Sequence, residues 1–238
     1  MKRAALVGWI RRRLTPGEYF GLQLTLGALA FLAAAWVFGI LAEDVVRAEP
    51  ITQIDEQLAR WFQDRQTPGL QRAMTALSWL HTWPVVVLLL AFIAYLHRRQ
   101  QWAWVIIAAT AVGGGAALNT LLKLAFHRER PTLSGLATAL HTYSFPSGHT
   151  LAATVIYGVL ALYLSASVRS LVSKSCVAVA AAAMVCLVAC SRIYLGVHYL
   201  SDVLAAMAEG IAWLSLCYVG TETFVQRKRR RDGDKRGV

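Results

Sequence analysis

Three short stretches hold most of the reactive side chains of an otherwise apolar chain. They are Lys123 with Arg130-Pro131, Pro146-Ser147-Gly148-His149, and Ser191-Arg192 with His198 and Asp202. Together they supply three cations, two imidazoles and a carboxylate. Cations hold phosphate oxygens, and an imidazole oriented by a carboxylate is a nucleophile toward phosphorus. The set suits binding a phosphate and breaking its ester bond.

Each stretch has its own physical logic. Pro131 ends a helix, because its ring removes a donor and turns the preceding residue away from helix. Lys123 lies seven residues before Arg130, so two turns would set both cations on one side. Alone, the pair reads equally well as basic residues snorkelling at a span end. Ser147 is suited to an N-cap position, and Gly148 leaves the backbone N–H open to a ligand at the positive end of a helix. His149 falls in that first turn. His198 and Asp202 are four residues apart and share a helix face if a helix begins there. The carboxylate then sets one ring nitrogen and leaves the other free.

The elements that must position these residues are membrane spans. The chain of 238 residues is 57% hydrophobic and 16% charged. Six stretches are long and apolar enough to cross ~30 Å of hydrocarbon, near 20–42, 74–96, 102–126, 149–168, 176–195 and 203–225. The expected architecture is all-α: a six-span transmembrane helical bundle over residues 20–225, with a basic N-terminal segment (1–19) and a basic tail (226–238). The tail is expected to be disordered. Between the first two spans, Ile51, Ile54, Leu58, Trp61 and Phe62 recur at helical spacing beside Asp55, Glu56, Arg60 and Asp64. That pattern predicts an amphipathic helix on the outer interface.

The net charge of +11 is concentrated, with sixteen of the 24 basic residues at the two termini, at Arg98-Arg99 and at Arg169 and Lys174. The positive-inside bias then places both termini in the cytoplasm, and the charge needs no nucleic-acid partner. With that topology the third span delivers Lys123 and Arg130 outward. The fourth begins outside at His149, the fifth ends outside at Arg192, and the sixth begins there with His198 and Asp202. All three stretches converge on one face, an agreement that motif spacing alone does not require. Ala4–Ile10 is a short apolar run closed by three arginines, read as an interfacial segment and not a cleaved leader.

In order and spacing, the three stretches resemble the type-2 phosphatidic acid phosphatase family. The resemblance covers 123–202 by motif and most of the chain by span number. It implies that His198 attacks phosphorus to form a phosphohistidine, with Asp202 orienting it. It implies that His149 protonates the leaving oxygen and then activates water. Lys123, Arg130, Arg192, Ser147 and the Gly148 backbone would hold the phosphate, with no metal and no cofactor. The implied partner is a lipid phosphate in the bilayer: undecaprenyl diphosphate (slightly favoured for the short, bacterial-style architecture), phosphatidic acid or phosphatidylglycerol phosphate, with a lipid A phosphatase left open. The setting would be a bacterial inner membrane with the site facing outward. Two alternatives share these residues: a phosphotransferase passing the group to another acceptor, and a lipid transporter or scaffold with a vestigial site. Sequence leaves oligomeric state open.

Several further residues have milder readings. Asn119 either bonds the Lys123 ammonium or joins two helices. Glu209 sits about three turns below His198, a carboxylate that needs a cavity or partner at that depth. His127, His141 and Tyr143 fall in the loop between the first two motifs, and His81 reads as a packing polar residue. Gly113-Gly114-Gly115 permits close helix approach. Cys176, Cys186, Cys190 and Cys217 read as small buried residues with no disulfide pattern.

Overall fold

The computed structural model describes residues 19–48, 50–131 and 142–234. Residues 1–18 of the expected N-terminal segment (1–19), including Ala4–Ile10, and His141 lie outside the described residues. All regular structure among the described residues is helical: α1 (Tyr19–Arg47), α2 (Pro50–Gln63), α3 (Pro68–Leu80), α4 (Trp83–Arg98), α5 (Trp102–Phe126), α6 (Gly148–Ser167), α7 (Leu171–Tyr194) and α8 (Leu200–Asp234). Six spans long and apolar enough to cross a membrane result, with α3 and α4 together making the second.

α8 is the hub, packing against α1, α2, α5, α6 and α7. Its Ala206 and Leu214 meet Ile107, Ala108 and Ala111 of α5 and Leu151, Val155 and Val159 of α6 in the main core. Small residues make this approach possible. A Cβ on Gly114 would run into the Trp213 ring, and one on Gly210 would meet Thr154. Outward faces carry exposed Leu29, Trp36, Leu88 and Val172, as expected where lipid rather than water is the neighbour. The close-packing reading of the glycine run therefore stands.

Four expectations change. The second span, predicted as one helix over 74–96, is broken at His81-Thr82. Pro84 lies in the first turn of α4, where it cannot donate to the preceding turn. Thr82 Oγ1 donates to the Trp79 carbonyl at 2.7 Å, satisfying one of the freed groups. α8 does not stop near 225 but continues across the boundary drawn at 226 to Asp234, since lysine and arginine are good helix formers. Cys176, Cys186 and Cys190 are exposed on outward-facing turns of α7, whereas Cys217 is half-buried against the main core, all four free. Finally, α2 is amphipathic as expected but turned: Ile54 and Trp61 are exposed, while Asp55 is buried.

Candidate active site

The helix ends fix the site. Ser147 takes the N-cap position of α6, and its N–H donates to the Asp202 carbonyl in the first turn of α8 at 3.1 Å. The second and third motifs are thereby tied backbone to backbone. Ser147 Oγ does not cap its own helix; it accepts from Thr150 Oγ1 at 3.1 Å. The loop before it is anchored by Phe145, fully buried against Phe38 and Phe126. A Cβ on Gly148 would meet Asn119 Oδ1 at 3.3 Å, so glycine keeps the start of α6 close to α5.

His198 is buried between α7 and α8. Its Nδ1 faces Asp202 Oδ2 at 3.3 Å, and its Nε2 faces Arg130 Nη1 at 3.4 Å. The carboxylate side therefore takes the ring proton, and the nitrogen pointing at the cations carries the lone pair. Burial first, then the Arg192 and Arg130 charges, push the imidazole down to about 4 against the pull of Asp202. The ring is neutral near pH 7, the form a nucleophile needs.

Arg130 is spread over its loop, with Nε donating to the Thr142 carbonyl (2.8 Å) and Nη1 to the Val197 carbonyl (2.8 Å). Lys123 Nζ donates to the carbonyls of Tyr143 (2.7 Å) and Ser144 (3.4 Å). Arg192, at the end of α7, donates through Nη1 to Ser78 Oγ. Its Nε is buried with no partner among the described residues. His149, half-buried in the first turn of α6, stands in the field of Arg192, His198, His81 and Arg130. All eight residues singled out by sequence thus sit at one end of the bundle.

Three participants were not legible. Arg128 Nη1 donates to Asp202 Oδ1 at 2.6 Å and to Ser201 Oγ at 2.7 Å, and Nη2 donates to Asp55 Oδ2 at 2.8 Å. Asp55, expected on the polar face of α2, is 1% exposed. The available signal was register: Asp55 occupies the stripe of Ile51, Leu58 and Phe62, spaced by four, three and four. Ser78 had no signal beyond its place in a span.

The milder readings resolve. Asn119 Nδ2 donates to Glu209 Oε2 at 3.0 Å, a helix–helix contact and not a bond to Lys123. Glu209 Oε1 is buried without a partner among the described residues. His81 Nε2 pairs with Tyr157 Oη at 2.6 Å, and His127 stacks edge-on to Tyr143 at 4.5 Å. A cavity of about 230 Å³ between α5 and α6 runs beside Asn119 and Gly148 and is lined by Val112, Leu151 and Val155. A larger groove of about 740 Å³ near Trp102, Tyr163 and Glu222 contains none of the motif residues.

The chain is similar to proteins already known. The family model described as the PAP2 superfamily matches residues 102–226. Phosphatidylglycerophosphatase B of Bacillus subtilis is 27% identical over 199 residues, spanning 82% of this chain and 97% of that protein. The crystal structure of the first transmembrane PAP2-type phosphatidylglycerolphosphate phosphatase, also from Bacillus subtilis, superposes with a TM-score of 0.69. It has 27% identity over 83% of this chain and 96% of that one. The crystal structure of Aquifex aeolicus LpxE shares the fold at a TM-score of 0.52 and 24% identity, covering 71% and 95% of the two chains.

Proposed function

This chain belongs to the PAP2 superfamily and is a membrane lipid phosphatase, and from that premise we propose that it cleaves the terminal phosphate of a lipid through a phosphohistidine at His198. The observation that carries this reading is the two-sided imidazole, with Asp202 on Nδ1 and cations around Nε2. The Nε2 lone pair attacks phosphorus as the bond to the lipid oxygen breaks. His149, protonated, gives its proton to that departing oxygen. It then takes a proton from water as the water oxygen attacks phosphorus and the P–N bond opens, which releases inorganic phosphate and restores the neutral ring. Lys123, Arg130, Arg192 and the amides at the start of α6 neutralise the charge on the equatorial oxygens, the stabilisation that preorganised donors provide best.

The apolar cavity beside Gly148 gives room for the chain attached to the phosphate, which supports a lipid over a soluble ester. The named relatives support phosphatidylglycerol phosphate as the first substrate to test, with undecaprenyl diphosphate and phosphatidic acid beside it. The basic clusters at Arg98-Arg99 and Arg169 support an orientation with this end of the bundle facing away from the cytoplasm of a bacterial inner membrane. The deciding experiment purifies wild type and His198→Ala in detergent, with chelator, and follows phosphate release and acid-stable or acid-labile phosphoenzyme. Acid-labile label on wild type and none on His198→Ala are expected. Turnover by His198→Ala, or label on another residue, would overturn the mechanism.

A further inference from the structure

Asp55 lies outside the three motifs and Arg128 at an unassigned position within the first, yet they form the only ion-paired route among the described residues from the amphipathic helix to the reacting imidazole. Asp55 Oδ1 accepts from the Ser201 N–H at 2.9 Å, and Oδ2 accepts from Ser201 Oγ and from Arg128 Nη2 at 2.8 Å. Ser201 is in the first turn of α8, where N–H groups have no partner within the helix. A carboxylate from α2 thus caps α8 from outside. Arg128 then joins that cap to Asp202, 2.6 Å away, while its guanidinium lies over the Tyr199 ring at 4.4 Å. Both carboxylates are fully buried at the side chain. Two such anions beside one another are costly without a shared cation, and Arg128 is that cation. Opposed by burial, the Asp202 and Asp55 charges still hold the Arg128 guanidinium above its ordinary value.

We propose that Asp55 and Arg128 are positioning residues for the phosphoryl transfer, with α2 bracing Asp202, and through it His198, from the interfacial side. The proposal rests on the reading of His198 as the phosphate acceptor. Asp202 uses Oδ2 for the Tyr199 N–H at 3.0 Å and for His198, so only Oδ1 is left to fix the carboxylate's rotation, and Arg128 occupies it. Without Arg128 the carboxylate is free to turn and its charge is unshared. A less shared Asp202 favours the protonated imidazole. Removing Asp55 does the opposite, because Arg128 is then left to Asp202 alone. The other titratable groups acting on this cluster are Arg130 of the same loop, Tyr199, Glu56 of α2, Arg192 of α7, His149 of α6 and Lys123 of α5, and they are common to all the variants below.

The test measures kcat, KM and the pH dependence of kcat/KM for lipid phosphate hydrolysis by the full chain in detergent, with thermal unfolding of each variant. Asp55→Asn and Arg128→Lys should lose about tenfold to a hundredfold in kcat at nearly constant KM. Arg128→Gln should move the acid limb upward by on the order of one pH unit, whereas Asp55→Asn should leave it in place or lower it. Arg128→Lys, retaining the charge without the fork, should keep the wild-type limb. If Arg128→Gln does not fold, Asp55→Asn and Arg128→Lys decide on kcat alone. A wild-type kcat in either of those, or an upward limb shift in both Asp55→Asn and Arg128→Gln, overturns the proposal. Inactive wild type or active His198→Ala instead defeats the underlying mechanism.

Discussion

Asp202→Asn separates the geometry of this site from its charge. The two carboxylate oxygens have different duties: Oδ1 faces the Arg128 guanidinium at 2.6 Å, and Oδ2 faces the Tyr199 N–H at 3.0 Å and His198 Nδ1 at 3.3 Å. An amide must put its NH2 on one of those sides. Facing Arg128, it sets donor against donor beside a buried cation. Facing His198, it gives up the bond from the Tyr199 N–H, forces Nδ1 to accept and moves the ring proton to Nε2, the nitrogen that must attack. The second arrangement is less costly, and it disables the nucleophile. Losing a hydrogen bond to a charged partner costs about 1.5–3 kcal/mol, and the positive ring formed during transfer loses a buried counter-charge worth a few kcal/mol more. The sum is about 4–6 kcal/mol, or roughly 10³–10⁴ in kcat. Because Lys123, Arg130 and Arg192 are untouched, KM should stay within about threefold, less than 1 kcal/mol. Rapid-quench measurement of phosphoenzyme formation with a labelled lipid phosphate reads the step directly. A loss of less than tenfold in a folded Asp202→Asn protein would refute the two-sided imidazole as the basis of catalysis.

Other expectations follow from the same geometry. His149→Ala should slow monoester cleavage by about 10²–10⁴ but diphosphate cleavage far less, because a leaving phosphate needs little protonation; equal losses in a paired substrate assay would remove His149 as the acid. Activity should fall as pH drops through about 4, where His198 becomes charged, and a pH–rate profile with its acid limb above 6 would contradict the buried neutral ring. The same group binds a proton at 6.5 when unfolded but only at about 4 in place, so stability should be full above 6.5 and decline by about 3 kcal/mol as pH falls to 4. Denaturant unfolding of wild type and His198→Phe checks this, and an unchanged pH dependence in the variant counts against it. Ser78→Ala should leave a second Arg192 donor unmet, at a cost of about 1–3 kcal/mol. Its unfolding temperature should recover when vanadate or inorganic phosphate fills the pocket, and no recovery would show that Arg192 does not face the anion.

The spans and the eight motif residues were legible because each rests on local signals: runs of apolar residues, a proline after an arginine, a histidine and an aspartate one turn apart. What escaped depends on contacts with no local signature. Arg128 is 73 residues from Asp55 and 74 from Asp202, and Ser78 is 114 from Arg192. Asp55 shows the limit clearly. Its type assigned it to solvent, its register assigned it to the buried stripe, and distant Arg128 and Ser201 made the register prevail. The break at His81 failed for a different reason, since one proline in a hydrophobic run marks either a kink or an interruption. The three cysteines of α7 misled because small apolar residues suit lipid-facing turns as well as cores.

The carbonyls of Thr142, Tyr143 and Ser144, which hold Lys123 and Arg130, bear on how turnover ends. In the proposed mechanism they share these donors with the anion. Donors divided between carbonyls and phosphate hold the anion less tightly, on arrival and on departure alike. The cationic end is thereby a station and not a trap, because tight holding of ground state and product alike adds nothing to rate.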